Sequence, residues 1–315
     1  YALEILRWRI KLLKKLDLGK DLGKLQILQA QEQQLLSEIA LESWLRMAHD
    51  KIIGAMSSGT DSSNSHVSTL IEEILSHPIL SIPPEDLRFN ARLIHHYICI
   101  FISHHRGPEE ETLQHYTSIV SLWEANPHRV QEETDRYVVS VIGYLDACSE
   151  TLSITSFHER LAKLRSMKLV QPSLAAKVFH YSYHLELLHA VKRCYLPRPA
   201  LEEDILRGLD AHGGLIDPAA HVSFYSNLAM LYFFHGHFKK SQRWVNLIHN
   251  FKEQSVRADI QVFAQCLRMV LQFELGDMDL LDYLLQAARR SLQRQKTPHP
   301  LHQIVVQHLG KLVQR

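Results

Sequence analysis

Residues 222–253, VSFYSNLAMLYFFHGHFKKSQRWVNLIHNFKE, decide the fold. They read as the core of two helices, near 218–235 and 238–253, joined at Gly236. Ala229 and Ser241 are small enough to let the two helices approach closely, and Gly236 permits the tight turn between them. Tyr225, Tyr232 and Phe238 fill the space between the helices. One such hairpin cannot bury its apolar face alone, so it needs neighbours of its own kind.

Working outward, the same two-helix rhythm recurs. Helices are expected near 85–104 and 109–125, 131–149 and 153–167, 172–194 and 200–211. After 218–253 come 257–275 and 278–295, and a last helix from 300. The first helices of successive pairs begin at 85, 131, 172, 218 and 257, steps of about 40 residues, within the range of helical-repeat arrays. The runs YICIFI (97–102) and YVVSVIGYL (137–145) have strand-like composition, but their length and context place them in buried first helices.

Residues 1–77 read differently, as a long N-terminal helical hairpin or cap. Leu3, Leu6, Ile10 and Leu13 form one apolar face of a first helix, and the Gly within Asp17–Lys20 can end it. From Asp21 to Met56, Leu25, Leu28, Leu35, Ile39, Leu45 and Ile52 make a narrow stripe suited to antiparallel packing or to a homodimer. Residues 57–65 (SSGTDSSNS) are small and polar and predict a flexible loop. A helix near 66–76 follows, closed by Pro78, and Pro83-Pro84 opens the array of 85–315. The chain starts at Tyr1 inside a helical stretch and without Met, so residues upstream are expected, with any targeting signal or effector domain among them.

Composition narrows the function classes. Of 315 residues, 46% are hydrophobic and 22% charged, which excludes wholesale disorder. Only 12 Gly and 11 Pro favour long elements over many short strands. A net charge of +1 supplies no global field for nucleic acid or an anionic membrane. No stretch reaches the ~18 apolar residues of a membrane span, so a cytoplasmic protein is expected. Cys99, Cys148, Cys194 and Cys266 are far apart, without metal-site spacing, and read as small buried hydrophobes.

The order of residues in 222–253 resembles a tetratricopeptide repeat: Tyr225, Leu228-Ala229, Tyr232, Gly236, Phe238 and Ser241 stand at its aromatic, small and turn positions. Ile248 stands where Ala is usual, and no Pro closes the unit. Residues 257–295 keep the hairpin and Gly276 but lose the aromatic and small positions. EILRWRIKLL (4–13) together with RADIQVFAQCLRMVLQFELGDMDLLDYLL (257–285) also resembles uncharacterised bacterial helical-repeat proteins. The resemblance implies an all-α, right-handed α-solenoid of tetratricopeptide-like hairpins. It also implies a concave groove lined by first helices, which takes a protein or peptide partner. Carried onto this repeat, the groove-facing residues would be Ser223, Ser226, Asn227, Met230, Phe233 and Phe234. The competing assignment packs Phe233 and Phe234 on neighbouring helices.

Other candidates carry less. His180 and His184 are four apart, with Glu186 and His189 nearby, a spacing that can present two imidazoles to a metal. Among 21 histidines such spacings arise by chance, and no metal or cofactor is expected. Arg289, Arg290, Arg294 and Lys296, and Arg7, Arg9, Lys11, Lys14 and Lys15, form basic clusters without a nucleic-acid-reading element, and read as solvated helix faces. GxxxxGK[ST], GxGxxG and GxSxG are all absent, so the chain is expected not to be an enzyme. Scaffold or adaptor is the expected function, and a peptide-responsive bacterial regulator with an upstream effector domain is the alternative.

Overall fold

The computed structural model describes residues 2–15, 22–57, 64–149, 154–251, 256–294 and 299–313. Among them the chain is all-α, with fifteen α-helices and no strand. In order they are α1 (Ala2–Lys15), α2 (Leu22–Ser57), α3 (Asn64–Leu75), α4 (Phe89–Arg106) and α5 (Glu109–Glu124). Then come α6 (Pro127–Glu132), α7 (Thr134–Ala147), α8 (Ile154–Arg165), α9 (Pro172–Lys192) and α10 (Leu201–His212). The last five are α11 (Pro218–Phe234), α12 (Phe238–His249), α13 (Ala258–Leu275), α14 (Met278–Arg294) and α15 (Pro300–Val313). The expected stop at Asp17–Lys20, residues 58–63 of the expected loop and Lys296 lie outside the described residues, as do the side chains of Lys15 and Arg294. Ser57 ends α2 and Asn64 begins α3.

The chain divides into two compact units, residues 1–140 and 141–315. In the first, α1 packs on α2 and α2 packs on α4. Leu3, Leu6 and Leu13 are half-buried and Ile10 is buried, so the expected face of α1 is the covered one. Arg7 adds an ion pair to Glu32 of α2 at 2.8 Å. Along α2, Leu25, Leu28 and Leu35 are half-buried, Leu45 and Ile52 are buried, and Ile39 is exposed. Leu45, Ala48 and Ile52 share a core with Ile71 and Ile74 of α3 and Ala91, Ile94 and Ile98 of α4. Farther along, Trp123 is fully buried, and its Nε1 donates to Ser140 Oγ at 3.0 Å.

Two boundaries differ from the sequence reading. Pro83-Pro84 opens a 3₁₀ turn, Pro84–Asp86, rather than the helix itself; Leu87 and Arg88 are extended and α4 starts at Phe89. Proline fixes its own φ and disfavours helical geometry in the residue before it, so a double proline delays the start. The helix expected over 131–149 is two helices, because Glu133 leaves helical geometry (φ −126°, ψ 46°) behind the short proline-initiated α6. Both runs of strand-like composition are helical, in α4 and α7.

In the second unit neighbouring helices pack in sequence: α8 on α9, α9 on α10, and then α11 on α12, α12 on α13, α13 on α14 and α14 on α15. The longer first helices also touch each other, α9 with α11 and α11 with α13. One core runs from Phe179 and Leu187 of α9 through Leu228 and Ala229 of α11 and Trp244 of α12 to Leu267 of α13. A second joins Met269 to Leu281, Leu285, Val306 and Leu309. All four cysteines are free; Cys148 and Cys266 are buried and Cys99 half-buried, but Cys194 is exposed, because it lies in the turn beyond α9. No described helix is long and apolar enough to cross a membrane.

Candidate functional site

The hairpin α11–α12 carries the candidate site, and its small residues set its geometry. Ala229 and Ser241 are fully buried, and Ser241 Oγ donates to the Ala229 carbonyl across the helix pair at 2.8 Å. Tyr225 packs 5.6 Å from Trp244, and Phe233 packs 5.7 Å from Phe238, centroid to centroid. Tyr232 donates its hydroxyl hydrogen to Glu202 of α10, and burial followed by that carboxylate pushes the phenol up. Gly236 has φ +71°, where a side chain would be strained. His237 N–H returns to Tyr232 O (2.9 Å) and Gly236 N–H to Phe233 O (3.0 Å), closing the helix by the paired bonds of a Schellman turn.

That turn occurs three times among the described residues. Asp277 and Gly276 bond to Gln272 and Phe273 in the same pattern, with Gly276 at φ +76°. Tyr195 and Cys194 bond to Ala190 and Val191, with Cys194 at φ 52°. From Ala190 to Tyr232 is 42 residues, and from Tyr232 to Gln272 is 40.

The six expected groove residues share one side of α11, but they differ in exposure. Ser223 and Ser226 are buried, Asn227, Met230 and Phe233 are half-buried, and Phe234 is 55% exposed. Ser223 Oγ donates to the Ala219 carbonyl and accepts from Arg257 Nη1 at 3.1 Å, so it is occupied within the protein. Asn227 Nδ2 lies 3.4 Å from His184 Nδ1 of α9. Phe233 packs against the core, as the competing assignment has it, and Phe234 does not. The accessible part of this face is therefore Asn227, Met230 and Phe234, with His180, exposed Tyr181 and His184 beside it on α9. Burial, then His180 and Arg257, pull the His184 pKa down to about 4, so its ring is neutral and offers one donor and one acceptor.

No family model, curated protein or solved structure matches this chain.

His180 and His184 do share a side of α9, but Glu186 and His189 point to the other side. There they join a buried polar cluster. The fully buried Glu186 takes an ion pair from Arg165 at 2.7 Å, and Arg198 stands 3.5 Å away. Arg165 also donates to Ser182 Oγ and O, at 3.0 and 2.9 Å, and lies over the Tyr183 ring. Tyr195 OH bridges His158 Nε2 (3.0 Å) and His189 Nδ1 (2.9 Å), and His189 stacks on Phe157 at 4.0 Å. A phenol has one hydrogen, so it donates to one imidazole and accepts from the other. The cluster fastens α8 and the segment after α9 onto α9. Its one sequence signal is a lone acid, Glu186, inside the apolar run LELLHAV.

Among the described residues, no group of three or more His, Cys, Asp or Glu side chains is placed to hold a metal ion. Of the basic clusters, Arg7 is paired with Glu32, and Arg289 and Arg290 are exposed on α14.

Proposed function

We propose that this chain is a tetratricopeptide-like helical-repeat scaffold, a right-handed α-solenoid whose first helices take a protein or peptide partner. The observation that carries this reading is the helix-ending turn repeated at steps of 42 and 40 residues after α9, α11 and α13, on three first helices that touch in sequence. The partner face is the accessible strip of Tyr181, His184, Asn227, Met230 and Phe234. It mixes adaptable apolar contact with neutral hydrogen-bonding groups, the chemistry that an extended peptide needs. The test captures partners from the native host's lysate on the immobilised chain, using wild type and Asn227→Ala/Met230→Glu/Phe234→Glu. A partner held by wild type and lost by an equally helical variant supports the reading; equal retention overturns the site.

A second reading rests on α1. Ile5, Trp8 and Leu12 are 53%, 61% and 41% exposed and lie three and four residues apart, an apolar strip on the side away from α2. Two copies would pair through these N-terminal helices. Light scattering is expected to give a dimer mass for wild type and a monomer for Trp8→Glu, and a monomer for both discards this reading.

A further inference from the structure

Helices α12, α13, α14 and α15 line a half-open cavity of about 230 Å³. Gln261, Ala264 and Arg268 reach it from α13, Leu284 and Ala288 from α14, and His302 from α15. The contributions follow helical spacing: 261, 264 and 268 are three and four apart, and 284 and 288 are four apart, so each set lies on one helix face. Alanine at 264 and 288 leaves open the space that a larger side chain would fill.

The wall also carries His249, Gln265 and Ser291, and two of its polar atoms, both side-chain nitrogens, are left without a partner. Gln261 and His302 are only 8% and 2% exposed, and the Nε2 atom of each is shielded from water without a hydrogen-bond partner. Most buried polar atoms in folded proteins are paired, so two unpaired ones on one cavity ask for a ligand that accepts hydrogen bonds. Burial holds the His302 pKa below the ordinary imidazole range, which leaves the ring neutral, and in its Nε2–H tautomer it donates into the cavity. Arg268 is half-buried and has no ion-pair partner among the described residues. No described residue lining the cavity is acidic. A planar guanidinium with no internal counter-ion suits a carboxylate, which it can grip through two parallel bonds.

We propose that this cavity binds a small carboxylic acid with a short apolar chain. The carboxylate meets Arg268, Gln261 and His302, and the chain lies against Ala264, Leu284 and Ala288. The volume is below the roughly 300–1,000 Å³ of drug-sized pockets, which suits a small acid or one end of a longer ligand. A free short-chain acid and the C-terminal residue of a peptide share this chemistry. The site lies apart from the α11 strip, and the proposal stands or falls independently of the scaffold reading.

The experiment titrates the full chain with pentanoate, pentanamide and N-acetylleucine by calorimetry, and repeats the titrations on Arg268→Gln and Ala288→Phe, with helicity checked for each. Pentanoate is expected to bind at one site, and pentanamide at least tenfold more weakly, a difference of about 1.4 kcal/mol. Arg268→Gln is expected to lose at least tenfold for the acid and little for the amide, and Ala288→Phe to remove binding. N-acetylleucine binding more tightly than pentanoate identifies a peptide terminus as the source, and the reverse order identifies a free acid. Arg268→Gln is a half-exposed change that keeps the test usable if Ala288→Phe does not fold. Equal binding of acid and amide, unchanged binding in Arg268→Gln, or no binding of either acid at millimolar concentration overturns the proposal.

Discussion

The Phe179 ring of α9 occupies the space where Gly208 of α10 would carry a side chain: a methyl group built on Gly208 overlaps the ring. Phe179 is buried and also contacts Phe224 of α11, so it cannot swing aside cheaply. Alanine is the better helix former by about 1 kcal/mol, yet overpacking a core costs about 1–3 kcal/mol. Gly208→Ala is therefore expected to destabilise the fold by about 1 kcal/mol in urea unfolding. Combined with Phe179→Leu it should cost less than the two single changes added together, because they share one contact. A neutral or stabilising Gly208→Ala would show that the helices can part freely.

This pair also marks how far the sequence could be read. Gly236 and Gly276 were legible because each stands where a periodic apolar pattern stops, and both take positive φ there. Gly208 sits inside the helical pattern LEEDILRGLDAH, and its partner is 29 residues away on another helix, a distance that no local periodicity encodes. The same limit applies to function. That Ser223, Asn227 and Met230 share a side follows from spacing on one helix, but the burial of Ser223 depends on Arg257, and the seat of Asn227 depends on His184. The cavity was illegible altogether, since its wall is assembled from four helices between Val245 and His302, whose mutual packing no local periodicity encodes.

The third copy of the helix-ending turn was missed because it lacks glycine. Cys194 holds φ 52° at the position occupied by Gly236 and Gly276 in the other two. A side chain in this region costs on the order of 1 kcal/mol, which glycine avoids. Cys194 is exposed, so little packing is lost with its side chain. Cys194→Gly is expected to raise stability by roughly 0.5–1 kcal/mol by thermal or urea unfolding, while Cys194→Val lowers it. If glycine destabilises, the thiol contributes more than its conformation costs.

Acid should weaken both units through buried imidazoles. His96 is 5% exposed and 3.1 Å from His115, and burial, then His115, His95 and Arg92, lower its pKa to about 4. His189 is fully buried, and burial, then Arg193, His158 and Lys192, lower its pKa to about 4. Both rings are neutral in the fold, whereas in the unfolded chain they take a proton near the ordinary 6.5. Their stabilisation is thus complete above pH 6.5 and is lost progressively as pH falls from 6.5 toward 4. From pH 7.5 to 5 the loss is expected to be about 2 kcal/mol for each. Urea unfolding of wild type against His96→Asn and His189→Asn, each at both pH values, reads it as a flatter pH dependence in the variants. An unchanged slope assigns the acid sensitivity to other groups.

Glu186 and Arg165 offer the sharpest test of what holds α8 to α9. The carboxylate is fully buried, and Arg165, 20% exposed, gives it the shortest ion pair at 2.7 Å; Arg198 stands farther off at 3.5 Å and is 41% exposed. Removing one member of a buried pair strands the other charge, at about 3–5 kcal/mol, whereas replacing both with apolar groups of similar size is often neutral. Arg165→Met is expected to destabilise by about 3 kcal/mol, at the low end because Arg198 remains. Arg165→Met/Glu186→Leu should recover most of that loss, because no buried charge is left without its partner. Arg165 also donates to Ser182 and covers the Tyr183 ring, so recovery should fall short of complete. A double variant as unstable as Arg165→Met alone would mean that these Ser182 and Tyr183 contacts, rather than the ion pair, fasten the two helices.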